Sequence, residues 1–127
     1  MTPASAIALS GIAAATLKLE ISASNAANAG DVTAPGGPAS FSPLATVQSP
    51  VPGGGVAARA VTLNGASYLV LDPASVLAGG QGWVLTPEID PITEVENQLQ
   101  AGQAFASSLK ALQTASDMEQ QAIDLKA

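Results

Sequence analysis

Two segments without an internal proline occupy the two ends of this chain, and they constrain its fold more than the residues between them. Residues 4–29 and 91–126 carry apolar side chains at three- and four-residue intervals, which predicts an α-helix at each end. The apolar stripe on each helix is narrow, so neither helix can bury enough surface to be stable alone. We therefore expect a mainly α fold in which the long N- and C-terminal helices form a coiled-coil-like pair.

The ends of the predicted helices carry residues that commonly start and stop helices. Asp90 is a good N-cap and Pro91 a good first residue for the second helix, while Thr93 and Glu96 offer an alternative capping box. Gly30 is well placed to end the first helix. At about 1.5 Å per residue the second helix is about 50 Å long, more than a compact chain of this size needs.

The region between the helices contains turn-forming residues and one hairpin signal. Glycine and proline make up 11 of the 27 residues from 30 to 56, a composition that predicts a loop. The pair Asn64-Gly65 separates Val61–Leu63 from Tyr68–Leu71, which predicts a small β-hairpin with a type I′ turn.

The chain is predicted to divide into four segments. Within the third, the apolar run at residues 83–86 is compatible with either a short strand or a hydrophobic anchor. The four segments are an N-terminal assembly helix (1–29), a Pro/Gly-rich loop (30–56), a small β-hairpin insert (57–90) and a C-terminal assembly helix (91–127).

Composition excludes several kinds of chemistry. The chain has no cysteine and no histidine, so thiolate chemistry, imidazole catalysis and metal sites built on those ligands are excluded. Ten acidic residues face four basic ones, a balance that argues against binding nucleic acid or an anionic membrane. The acidic cluster of Glu88, Asp90, Glu94 and Glu96 is explained by helix capping and the helix dipole rather than by a metal ion. We predict no enzymatic activity, no catalytic residue, no cofactor and no metal.

The chain offers material for only a small core. Alanine supplies 26 residues, and aromatic residues make up only 3% of the chain. Alanine favours helices but buries little area. Because a small core gives marginal stability, we expect assembly with other subunits to stabilise the protein.

The N-terminal segment is apolar, but we predict that it is neither a cleaved signal peptide nor a membrane span. No basic residue precedes its apolar run, and Lys18 and Glu20 interrupt that run. No uncharged apolar run in the chain reaches the roughly 18 residues that a span requires. If the protein leaves the cytoplasm, we expect export without a cleaved leader.

Related motifs stand at the two ends of the chain. Residues 6–12 (AIALSGI) and 17–29 (LKLEISASNAANA) form a small-residue-rich helix that ends in Asn-x-x-Asn-Ala. Near the other end lie residues 90–99 (DPITEVENQL), the pair Ala104-Phe105 and residues 109–115 (LKALQTA). In this order the two ends resemble the opening and closing helices of the bacterial flagellar axial proteins, which include rod, hook and hook-associated subunits. The short region between them is similar to that of the proximal-rod subunits.

The resemblance implies a structural subunit of the basal-body rod, which polymerises through its terminal helices into the drive shaft for motility. It implies export by the flagellar type III apparatus and a location in the periplasm-spanning rod. The implied partners are copies of the chain, other rod subunits, the basal-body rings and the export apparatus, with no nucleic acid. Two alternatives remain open: a generic helical adaptor or type III secretion-apparatus structural subunit, and a small carbohydrate-active or hydrolytic protein that uses the acidic cluster.

The predicted assembly interface consists of small and apolar residues at helical spacing in both end segments, together with two asparagines. Because the stripes are too narrow to be completed within one chain, we expect these residues to contact helices of other subunits. They are Ile7, Leu9, Gly11, Ala14, Leu17, Ile21, Asn25, Asn28, Ile92, Val95, Leu99, Gly102, Phe105, Ala106, Leu109, Leu112, Met118 and Leu125.

Overall fold

A computed structural model describes residues 2–38 and 41–126 as a long antiparallel helix pair accompanied by two small sheets. The prediction of a mainly α fold with paired terminal helices is confirmed. In chain order the elements are α1 (Pro3–Asn28), β1 (Leu44–Pro50), β2 (Val56–Thr62), β3 (Ser67–Leu71), β4 (Trp83–Pro87) and α2 (Pro91–Asp124).

The start of α2 is capped as predicted, whereas the end of α1 differs. The Asp90 carboxylate accepts a hydrogen bond from the Ile92 N–H at 3.0 Å, and the Thr93 hydroxyl donates to the same carboxylate at 2.9 Å. Thr93 therefore supports the Asp90 cap instead of forming the alternative capping box. Helix α1 ends before Ala29, a right-handed cap residue, and does not use a left-handed Gly30.

The middle of the chain forms two separate antiparallel strand pairs, β1 with β2 and β3 with β4. A turn at residues 51–55 joins β1 to β2, and its three glycines have φ values of 91°, 98° and 94°. The prediction of a loop throughout residues 30–56 is wrong for residues 44–50. Three consecutive glycines can adopt the left-handed conformation of a tight turn, and this lets the flanking residues pair as strands.

The predicted hairpin at Asn64-Gly65 is also wrong. Gly65 has a φ of 74°, but Asn64 is not left-handed, as a type I′ turn would require. The strands on either side of Asn64-Gly65 pair with other strands, β2 with β1 and β3 with β4. Pairing with β1 gives β2 seven residue pairs, more than the short segments beside Asn64-Gly65 could form with each other. Residues 83–86 adopt the strand alternative, as part of β4.

Helix α1 is the central element of the fold, since α2 packs on one side of it and the β1–β2 pair on another. The turn between β1 and β2 lies close to the start of α1. The Val56 N–H donates a hydrogen bond to the Ser10 hydroxyl oxygen at 3.1 Å. A Cβ added to Gly55 would lie only 2.5 Å from the same oxygen. This position explains why α1 supplies more buried residues than any other element of the described chain. Those on α1 are Ser5, Ala8, Ala14, Ala15, Ile21, Ser22 and Asn25.

The β3–β4 sheet is attached to the segment that follows α1. Thr33 and Leu85 exchange two backbone hydrogen bonds of 2.9 Å, and the Thr86 hydroxyl donates to the Asp31 carbonyl at 3.2 Å. The sheet therefore lies near the end of the helix pair at which α1 finishes and α2 begins.

One helix in the described part of the chain, α1, is long and apolar enough to cross a membrane by length and composition. Core helices and secretion signals pass the same test, so it is weak evidence for a span. In this structure the Ser22 and Asn25 side chains of α1 are buried against other elements. The absence of a membrane span stays a prediction.

Candidate assembly surfaces

The interface between α1 and α2 is lined by small and polar side chains that repeat every seven residues. Such a repeat places these residues on one face of each helix, as in a coiled coil, and small side chains allow the helix backbones to come close together. The repeat comprises Ala8, Ala15 and Ser22 on α1, and Glu94, Ala101, Ser108 and Ala115 on α2. We call this set of residues the small-residue seam.

Gly11 lies at a close approach between the two helices along the small-residue seam. A Cβ at this position would lie 2.5 Å from the Ser108 hydroxyl oxygen and 3.3 Å from the Ser108 Cβ. A Cβ would therefore require the Ser108 hydroxyl to rotate away and would still press on the Ser108 Cβ, so side chains larger than that of alanine fit here only if α2 shifts.

A carboxylate holds the seam together at the end where α1 begins. Glu119 accepts hydrogen bonds from the Thr2 backbone N–H at 3.1 Å and from the Ser5 hydroxyl at 2.9 Å. Hydrogen bonds from Thr2 and then Ser5 lower the pKa of Glu119, because they favour the ionised carboxylate. Hydrogen bonds from Thr93 and Ile92 lower the pKa of the Asp90 cap for the same reason.

These two carboxylates predict a specific dependence of stability on pH. Because their pKa values are lowered in the folded chain, their contribution is complete above their ordinary values of 3.8 and 4.5 and is lost as the pH falls through the lowered values. We expect Glu119→Gln and Asp90→Asn each to lose less helical circular dichroism than the unmodified chain over that acid range. If neither substitution changes the loss of helical circular dichroism at acid pH, this assignment is wrong.

A buried polar cluster ties three elements together at the other end of the seam. The Ser22 hydroxyl donates to the Glu94 carbonyl at 2.7 Å, which joins α1 to α2. The Asn25 amide group donates to the Leu44 carbonyl at 2.8 Å and to the Glu94 carboxylate at 3.0 Å, and its oxygen accepts from the Leu44 N–H at 2.9 Å. Asn25 thus pairs with the first residue of β1 much as a neighbouring strand would.

Large apolar side chains of α2 point away from α1. Ile92, Val95 and Leu99 lie on one face of the helix, roughly opposite the buried Glu94 and Ala101, and they are 54–71% exposed. We call Ile92, Val95 and Leu99 the outward row. A contiguous exposed apolar surface of this kind is typical of a site where another protein binds.

The structure separates the residues of the predicted assembly interface into two groups. Those on α1 are mostly used within the chain: Ala14, Ile21 and Asn25 are buried, Gly11, Leu17 and Asn28 are partly buried, and only Ile7 and Leu9 are exposed. Those on α2 are available to other molecules, with the exception of the partly buried Leu112. The exposed ones are Ile92, Val95, Leu99, Gly102, Phe105, Ala106, Leu109, Met118 and Leu125.

Sequence reasoning missed the small-residue seam. The predicted stripes did include small residues, but they followed other positions, such as Gly11 and Ala14, and passed over the seven-residue repeat of alanine and serine on both helices. Glu94 was attributed to the helix dipole, yet its side chain is buried beside Asn25.

Comparison with known proteins identifies the class to which this fold belongs. The family model described as flagellar basal body rod FlgEFG protein C-terminal matches residues 81–125, which include β4 and all of α2. The flagellar basal-body rod protein FlgC of Salmonella typhimurium is 33% identical over 117 residues, covering 88% of this chain and 87% of the relative. FlgC of Escherichia coli O6:H1 is 32% identical over the same coverage, and FlgC of Yersinia enterocolitica is 33% identical over 113 residues, covering 85% and 84%.

A pair of long terminal helices with an exposed apolar row, together with these matches, defines a structural protein of the flagellar axis and not an enzyme. The chain belongs to the FlgC family of flagellar basal-body rod proteins, whose members are proximal-rod subunits. The family predicted from the motifs at the two ends of the sequence is therefore confirmed.

Proposed function

We propose that this rod subunit polymerises by packing the outward row of α2 against helices of neighbouring subunits. The observation that supports this most directly is the exposure of Ile92, Val95 and Leu99 on the helix face turned away from α1. By contrast, α1 is covered by α2 and by the β1–β2 pair, so it contributes mainly to the fold of the single chain.

The energetics of the outward row favour an assembly with many contacts for each subunit. Burying the exposed parts of three such side chains gains roughly 3–5 kcal/mol in total. Association of two molecules costs about 4–15 kcal/mol in lost freedom, so one such contact does not hold two chains together. A subunit surrounded by several neighbours can exceed this cost, and many weak contacts also suit a shaft that must resist torque.

The outward row can be tested by introducing a charge into it. Leu99→Glu should reduce the amount of this chain in isolated basal bodies at least tenfold, because assembly would bury an unpaired carboxylate. Leu99 is 63% exposed in the single chain, so the free energy of unfolding of the purified protein should change by less than about 0.5 kcal/mol.

A matched control places the same charge elsewhere on the surface. Asn64 is exposed in the turn between β2 and β3, and Asn64→Glu should leave the amount of assembled chain unchanged. Normal rods containing Leu99→Glu would refute the proposed role of the outward row.

We also propose that α1 is retained when the subunit is exported to the rod. Ser5, Ser22 and Asn25 of α1 bond to α2 and β1, so removal of α1 as a cleaved leader would leave Glu119, Glu94 and Leu44 without these partners. The subunit extracted from basal bodies should have the mass of a chain that still contains residues 3–28. A mass that corresponds to a chain beginning after Asn28 would contradict this proposal.

The partners that we propose are the helices of other rod subunits, with the basal-body rings and the export apparatus as further contacts. Several glutamines, including Gln100 and Gln103, flank the outward row and can be desolvated at less cost than charged residues.

A further inference from the structure

The link between the two sheets consists of two exposed residues, Asn64 and Gly65, held between two anchored residues. On one side, the Leu63 N–H donates a hydrogen bond of 2.8 Å to the carbonyl of the residue before β1. On the other side, the Ala66 carbonyl accepts a hydrogen bond of 2.8 Å from the Glu88 N–H, next to the end of β4. Only Asn64 and Gly65 therefore lie between the two anchors, and both are open to solvent.

The polar groups of this link have no other partner. In the part of the chain that the structure describes, neither the Asn64 side chain nor the Gly65 backbone N–H makes a hydrogen bond. Gly65 has a φ of 74°, and a Cβ built there would meet nothing within 4 Å, so the space around this residue is open. The Asn64 amide group can thus turn toward the Gly65 nitrogen without losing a partner.

An asparagine followed by a glycine is a reactive pair when both are free in this way. The backbone nitrogen of the residue after an asparagine can act as a nucleophile on the side-chain amide carbon, Cγ. A Cβ on that next residue obstructs the attack, whereas glycine has none and leaves its nitrogen accessible. Asparagine is accordingly one of the thermolabile residues of proteins.

The other three asparagines of the chain lie in helices and lack this freedom. Asn25 and Asn28 are in α1, and Asn97 is in α2. In a helix the N–H of the next residue is hydrogen-bonded to a preceding carbonyl, and here each next residue is an alanine or a glutamine, which has a Cβ. The side chains of Asn25 and Asn28 also donate hydrogen bonds of their own. Among these four asparagines, only Asn64 meets the conditions for attack.

We propose that Asn64 is a site of spontaneous deamidation. The Gly65 nitrogen attacks Cγ of Asn64, the N–Cγ bond forms and the Cγ–Nδ2 bond breaks, so Nδ2 leaves as ammonia with the proton that Gly65 gives up. Water then opens the resulting cyclic imide. Attack of water at Cγ gives an aspartate, and attack at the main-chain carbonyl carbon of residue 64 gives an isoaspartate. Water is the only co-reactant, and no group is oxidised or reduced.

Either product changes the link between the sheets. Both add a negative charge to a chain whose formal net charge is already −6. The isoaspartate also inserts an additional main-chain atom, because the chain then runs through Cβ and Cγ. Since the hydrogen bonds of Leu63 and Ala66 hold the two ends of the link, this extra length alters how the two sheets are joined. The reaction does not require polymerisation, so this inference does not rest on the proposed function.

Mass spectrometry of the purified full-length chain tests the proposal. During incubation at physiological temperature and mildly alkaline pH, the peptide that contains Asn64 should gain the mass difference between NH and O. This gain should be roughly tenfold or more faster than at the other three asparagines. It should accelerate as the pH rises, because the attacking nitrogen must lose its proton. Asn64→Gln should abolish the gain, since the longer side chain does not readily form the same ring.

A matched control separates the effect of the fold from that of the residue pair. Gln98→Gly places a glycine directly after Asn97 inside α2, where its N–H is held in a helical hydrogen bond. With helical circular dichroism retained, Asn97 in this variant should gain mass about tenfold more slowly than Asn64 in the same molecule. In concentrated urea, where α2 unfolds, the two pairs should react at similar rates.

Several results would overturn the proposal. These are an unchanged mass of the Asn64 peptide, equal gains at all four asparagines of the unmodified chain, and the same gain in the Asn64→Gln chain. Equal rates for the two pairs in the folded Gln98→Gly chain would also count against it, because the exposed link would then be no more reactive than a helix. None of these results affects the outward row, whose role is tested separately by Leu99→Glu.

Discussion

Replacing Asn25 with alanine is expected to lower the free energy of unfolding by about 2–4 kcal/mol. Asn25 is only 3% exposed, and its side chain makes three hydrogen bonds, two to the backbone of Leu44 and one to the carboxylate of Glu94. Alanine removes all three and leaves a buried carboxylate oxygen without this donor. Urea unfolding of the purified full-length chain, followed by circular dichroism, measures the loss.

Asn28 provides the matched control for this substitution. It lies in the same helix and the same Asn-x-x-Asn motif, but its side chain is partly exposed and donates to the Ser24 carbonyl one turn earlier in the helix. Asn28→Ala should change the free energy of unfolding by less than about 0.5 kcal/mol, since alanine also favours the helix. Equal losses for the two asparagines would show that the cluster around Glu94 does not hold β1 to the helices.

The two terminal helices could be predicted because their signals are local and agree with one another. Apolar residues recur at helical spacing along both ends, and Asp90 followed by Pro91 marks where α2 begins. Each of these features acts within one turn of helix, so nothing distant in the chain competes with it. The structure accordingly places both helices within one or two residues of the predicted bounds.

The sheets could not be predicted in the same way, because strand pairing depends on which partner is available. Asn64-Gly65 is a strong local signal, but β2 has a longer partner in β1 on the other side of the three glycines at 53–55. Glycine-rich sequence normally indicates a loop, and only the paired strands show that these glycines form a turn.

The sequence identified helix faces that need a partner, but it did not separate the faces covered within the chain from those left exposed. Ile92, Val95 and Leu99 were selected as apolar residues at helical spacing, and they are indeed on the open side of α2. Ala14 and Ile21 were selected by helical spacing and Asn25 was added to them, but all three are buried within the chain. Periodicity shows that a helix face needs a partner, whereas only the packed structure shows whether that partner belongs to the same molecule.

The small-residue seam leads to a second large effect, at Gly11. We expect Gly11→Val to lower the free energy of unfolding by about 2–3 kcal/mol, because its Cβ would lie 3.3 Å from the Ser108 Cβ even after the Ser108 hydroxyl rotates away, and its two methyl groups need further room. Rotation of the Ser108 hydroxyl relieves only the contact with its oxygen, so the methyl groups of valine push α2 away from α1 and loosen the packing on both sides of Ser108. The same urea unfolding experiment measures this effect.

Gly102→Val is the matched control, since Gly102 is also a glycine inside a helix but a Cβ there would meet nothing within 4 Å. It should be neutral or slightly stabilising, because valine has a somewhat higher helix propensity than glycine. A double variant with Gly11→Val and Ser108→Gly should recover part of the loss, and the recovery measures the coupling between the two positions. If Gly11→Val is as harmless as Gly102→Val, the helices cannot be as close at this point as the structure places them, and the small-residue seam is not what holds the pair together.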